Sequence, residues 1–214
     1  MGGILNNILS NIVGSLQAMI YTLPALLITI TLHELAHGYT AYKLGDPTAK
    51  SAGRLTLNPI KHIDPMGLLC LFILRFGWAK PVPYNPNYFK NRRKGTFLVS
   101  LAGPLTNIIL GLISLIAMFL LNSTGTTAYL FFELLFIYNV SFAVFNLIPV
   151  PPLDGSKIVA SILPGKLEEM FWKVERYGYV VLLILIFTNV LDYILNPAIE
   201  FMMIGMFSLV RLFF

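Results

Sequence analysis

Charge is what this 214-residue chain has least of. Only 12% of its residues are Asp, Glu, Lys or Arg, against 57% hydrophobic, and mean hydropathy is +0.76. That composition excludes an ordinary soluble domain and describes a polytopic membrane protein. A single cysteine, Cys70, excludes an internal disulfide and a thiolate metal cage; Cys70 reads as a core residue. The amino terminus lacks the positive charge that precedes the apolar stretch of a secretory signal peptide, so it is expected to be retained. The 15 basic residues outnumber the 10 acidic ones, but no aromatic-and-basic surface pattern suggests nucleic acid. No internal repeat or low-complexity tract is present.

Long uncharged runs are what remains. The first thirty-two residues carry no charged side chain, and an apolar helix over 12–32 is expected to continue to about Leu44, where Gly45-Asp46-Pro47 stops it. Pro24 is a candidate kink. Core helices are therefore expected at about 12–44, 97–121 and 128–153. Residues 177–214 read as a carboxy-terminal hairpin of two shorter apolar limbs, broken near Asp192 and Asn196-Pro197. Met66 to Leu74 is too short to cross a bilayer of about 30 Å and reads as re-entrant or interfacial. Arg54-Leu55-Thr56-Leu57 alternates like a short strand, and a small β-hairpin against Pro81 to Tyr84 is one reading.

The expected fold is thus an all-α polytopic membrane protein, one domain over 1–214. About five to six membrane helices or half-helices surround a three-helix core, with a β-hairpin or re-entrant piece near the site. Basic residues gather in Lys43–Lys61, Arg75–Lys94 and Lys157–Arg176, and the positive-inside tendency puts these loops in the cytoplasm and the amino terminus outside.

His33-Glu34-Leu35-Ala36-His37 lies at the end of the first uncharged run. On a helix, His33 and His37 are about one turn apart on one face and both can reach one Zn²⁺. Glu34 points beside that face, where its carboxylate can take a proton from a water activated by the ion. Ionisable groups at membrane depth usually mark function. A catalytic zinc normally has three protein ligands. His62, in a turn-rich loop, reads better as a locally packed histidine. Asp154 closes the stretch Asn146–Gly155, whose prolines interrupt helix at the end of the third span; a helix-ending Asp-Gly turn explains it too. Glu168 and Glu169 are a further option, although their setting reads as a solvated helix start.

His33 through His37, Ala102-Gly103-Pro104-Leu105-Thr106-Asn107 and Asn146 through Asp154-Gly155 together resemble the site-2 proteases, intramembrane zinc metalloproteases, in a short form without room for a PDZ domain and without an appended carboxy-terminal domain. The resemblance implies one Zn²⁺ per chain on His33, His37 and Asp154, with Glu34 as the catalytic carboxylate. It implies an endopeptidase acting on transmembrane segments of membrane-protein substrates, with its site open to the cytoplasm, and the short form suggests a prokaryotic inner membrane. Asn146, and more weakly Asn107, are candidate donors to the oxyanion; either could instead bond a neighbouring helix. Gly103 with Pro104 reads as helix packing or a kink. The rival readings are a metal-ion transporter and a zinc-binding membrane scaffold without catalysis. Substrate, trigger and oligomeric state are not legible.

Overall fold

In the computed structural model, which describes residues 2–74, 77–122, 124–165, 167, 168, 171, 173 and 176–214, the first uncharged run and the histidine motif form one helix, α1, Gly2–Lys43. Gly45, at φ 103°, supplies the left-handed turn that ends it. The fully buried Asp46 then secures the exit: one carboxylate oxygen accepts from the Thr48 backbone N–H and the Thr48 hydroxyl, the other from the Asn85 N–H at 2.6 Å. A short α2, Thr48–Ser51, follows.

Asp64 caps α3, Pro65–Leu74, by accepting from the N–H groups of Met66 and Gly67 at 2.8 and 3.0 Å. Ten residues make a helix of about 15 Å, half a bilayer, so the short apolar run is a half-length helix. Asn91 caps α4, Arg92–Leu121, and Asn122 in the left-handed region closes it. Thr126 caps α5, Thr127–Leu147. After six non-helical residues come α6, Asp154–Ile162, then α7, Gly178–Phe187, and α8, Val190–Val210.

Four segments are long and apolar enough to cross a membrane: Met19–Lys43 within α1, Arg92–Leu121, Thr127–Leu147 and Val190–Val210. α4 packs against α1, α5 and α6, and so holds the centre. Leu115 and Met118 of α4, Phe136, Val140 and Val144 of α5, and Met206 and Val210 of α8 form the main apolar core. Gly111 lets α4 approach α5: a Cβ there would lie 3.3 Å from Val140.

Three expectations change. The third core helix stops at Leu147 and not near 153, because Ile148 turns extended and three prolines follow, so Asp154 opens a new helix instead of closing an old one. Arg54–Leu57 forms no strand, and among the described residues the sole pairing nearby is an isolated Ile63–Ala79 bridge. The Arg54 guanidinium joins the two loops instead, donating to the carbonyls of Lys80 and Pro81 at 2.6 and 3.1 Å. The carboxy-terminal hairpin turns at Thr188-Asn189, where Asn189 takes φ 56°, while Asp192, Asn196 and Pro197 lie inside α8. Arg75, Lys166 and Glu169 lie outside the described residues.

Candidate active site

α1 places His33 and His37 one turn apart, and α6 brings Asp154 to them as its first residue. The two Nε2 atoms are 3.0 Å apart, and each is 3.1 Å from Asp154 Oδ2. Ligand atoms about 2.0–2.1 Å from a tetrahedral zinc stand roughly 3.3 Å from one another, so this group of two imidazoles and a carboxylate fits a zinc ion.

Behind the cluster, the other nitrogen of each ring meets an acceptor. His33 Nδ1–H donates to Asn107 Oδ1 at 2.5 Å, and His37 Nδ1–H to the Val99 carbonyl at 2.7 Å. Both Nε2 lone pairs are thereby left for a metal. Asn107 is in turn held by α1 and α5: its amide donates to the Thr29 carbonyl at 3.2 Å and to Asn139 Oδ1 at 2.7 Å. The Asn139 amide donates to Thr29 Oγ1 and the Leu135 carbonyl, and Thr29 Oγ1 to the Ala25 carbonyl. Thr29, Asn107 and Asn139 are fully buried.

Gly103 completes this back wall. A Cβ there would lie 2.5 Å from His37 Nε2 and 2.7 Å from His33 Nε2. Close packing was the expected role of this glycine; what it packs against is the pair of imidazoles.

In front of the cluster lies a cavity of about 720 Å³, lined by His33, Glu34, His37, Asn146 and Asp154 with Trp78 and Phe142 among its apolar walls. Glu34 is held there by one oxygen, Oε2, which accepts from the Val82 N–H at 2.8 Å. Asn146 spends one amide hydrogen on the Phe142 carbonyl at 3.0 Å, so the second remains for a ligand. Ser100 Oγ, deeply buried in the same wall, has no hydrogen-bond partner among the described residues. Asn107 is not an oxyanion donor in this arrangement, since both amide hydrogens and the carbonyl are engaged behind His33.

His62 is apart from the cluster, fully buried, and meets the Thr56 carbonyl at 2.9 Å through Nε2. Glu168 pairs with Arg93 at 2.7 Å rather than joining the histidines. Thr29, Val82, Val99 and Asn139 were missed by sequence reasoning. Two act through backbone atoms, which no motif records, and two are polar residues in apolar runs whose partners depend on how the helices cross.

The model of peptidase family M50 matches residues 21–133 and 121–188. The chain is 40% identical over 206 residues to "Putative zinc metalloprotease YwhC" of Bacillus subtilis (strain 168), covering 92% of this chain and 93% of that protein. It is 30% identical over 156 residues to "Zinc metalloprotease MJ0392" of Methanocaldococcus jannaschii, covering 72% of this chain and 34% of the relative. A solved structure, "Site-2 Protease from Methanocaldococcus jannaschii", aligns over 92% of this chain and 84% of its own, at 22% identity and a TM-score of 0.47.

Proposed function

The chain belongs to peptidase family M50, a family of zinc metalloproteases, and on that premise we propose that it is an integral membrane endopeptidase that hydrolyses peptide bonds in transmembrane segments of substrate proteins. The observation that carries this reading is the His33–His37–Asp154 group facing a cavity that also contains Glu34. His33, His37 and Asp154 would hold one zinc per chain. When bound, the ion supplies a Lewis acid that polarises the scissile carbonyl and lowers the pKa of water at the site to about 7.

Glu34 takes the proton of the attacking water and returns it to the leaving amine. The Val82 N–H on Oε2 leaves Oε1 as the oxygen that carries the proton. Asn146 keeps hydrogen-bonding capacity at the cavity and would meet the developing oxyanion or the substrate backbone. The basic loops support a cytoplasmic site and an external amino terminus, and the largely apolar walls around the metal cluster suit a substrate segment arriving through the bilayer.

The test is cleavage of a single-span substrate by the purified protein in liposomes, with zinc per chain measured on the same samples. Wild type should cut; Glu34→Gln should keep its zinc and lose at least about a hundredfold in rate. Equal cutting by Glu34→Gln would remove the assigned base. Zinc binding with no proteolysis by wild type of any spanning substrate would favour the scaffold.

A further inference from the structure

One of the three histidines takes no part in the metal cluster. His62 is nonetheless fully buried, and a buried imidazole is costly unless its polar atoms are used. Its Nε2 meets the Thr56 carbonyl at 2.9 Å, and because a carbonyl can only accept, that nitrogen bears the proton. Nδ1 has no hydrogen-bond partner among the described residues. The ring therefore works through a single donor, which ties the end of the Thr56–His62 loop back to its start.

That loop in turn holds a second segment. The His62 carbonyl accepts from the Lys80 N–H at 2.9 Å, and Ile63 bridges to Ala79. Arg54, just before the loop, holds the carbonyls of Lys80 and Pro81. Pro81 has no N–H, so every backbone polar group from the Lys80 N–H to the Val82 N–H has a partner. The last of them is the Val82 N–H, which donates to Glu34 Oε2 at 2.8 Å. Both segments also seat on α1 one turn beyond Glu34: a Cβ at Gly38 would lie 2.9 Å from the side chains of Leu55 and Val82 alike.

We propose that His62 is a positioning residue for Glu34. Its Nε2–H bond to Thr56 sets the loop that holds Lys80 to Val82, and that segment delivers the Val82 amide to the carboxylate. This rests on Glu34 being the base of the proposed reaction and deepens that reading by naming what aligns it. His62 is not among the residues around the catalytic cavity, so its loss should slow the reaction without changing the metal. A displacement of about 1 Å at a catalytic group is enough to cost up to about a hundredfold in rate.

Two readouts test this, and one is independent of proteolysis. Glutamine places its side-chain nitrogen where histidine has Nε2, and asparagine where it has Nδ1, so the pair separates the working nitrogen from the idle one. In the liposome assay His62→Leu should lower kcat about tenfold, with KM within about twofold and zinc per chain as in wild type. His62→Gln should recover most of that loss, and His62→Asn should not. Hydrogen exchange of the full chain, read by mass spectrometry, should be faster at Lys80 and Val82 in His62→Leu and His62→Asn, near wild type in His62→Gln, and unchanged in α4. Wild-type turnover in His62→Leu, equal losses in His62→Gln and His62→Leu, or unchanged protection at Val82 would overturn the positioning role. Loss of zinc, or of protection throughout α4, in every His62 variant would overturn it too, leaving a residue that only supports the fold. A wild type that cuts nothing would sink the protease reading instead, while the exchange pattern would still decide whether His62 holds the segment.

Discussion

The two sides of the metal cluster are built on opposite plans. Behind His33 and His37, Asn107, Asn139 and Thr29 form a closed set of hydrogen bonds joining α1, α4 and α5, with no exposed member. In front, Glu34 has a single amide partner, Asn146 keeps donor capacity, and a cavity of about 720 Å³ lies open to them. Buried polar networks are rigid when every member is satisfied and costly when one is not. A satisfied back wall can therefore fix the ligands, while an unsatisfied front leaves capacity for substrate. Changes behind the cluster should be read in metal affinity and changes in front of it in turnover.

The largest effect should come from the point where the two sides meet. Asp154→Ala removes the proposed third ligand, and zinc per chain, measured by elemental analysis, should fall from about one to near zero. Gly103→Ala should follow, because its methyl group would sit 2.5–2.7 Å from both imidazoles; a competition titration with a chelator should show zinc affinity reduced by about a hundredfold or more. Asn107→Leu frees the His33 ring and should cost about ten- to hundredfold in the same titration. Asn139→Leu, one bond further back, should cost several-fold. The smallest effect belongs to the front. Arg54→Lys cannot span both the Lys80 and Pro81 carbonyls as a planar fork does, so the Val82 N–H should drift from Glu34 and turnover fall several-fold at unchanged zinc. Loss of zinc in Arg54→Lys, or normal zinc affinity in Asn107→Leu, would erase the distinction between the two sides.

Much of the front was legible in the chain. His33, Glu34 and His37 needed only helical spacing, and Asp154 stood out as a carboxylate at the end of a proline-broken span. The back wall was not. Asn139 sits in an apolar run with no local signal, and its role exists only because α5 crosses α4 near Asn107. Asn107 was noticed for the wrong reason, since its composition suggests a donor while its partners make it an acceptor for His33. The spans were readable because hydrophobic length is a strong signal in lipid. The ends near Leu44 and at 121 were readable as well, but the hairpin turn was not, because a single left-handed asparagine at 189 sets it and one residue of that kind carries little weight in a window average. Four alternating residues at Arg54–Leu57 were too few to specify a strand, and the arginine's reach decided that loop.

Asp154 and His33 are 121 positions apart, so an ion held by both, as proposed, would be a reversible cross-link closing a long loop between the first span and the helix that follows the third. Such a link restricts the unfolded chain as a disulfide of the same span does, but its strength is set by free metal. The midpoint of thermal unfolding should therefore climb with the logarithm of free zinc. A chelator should relax α6 and the segment leading into it before it disturbs the bilayer core of α4, α5 and α8.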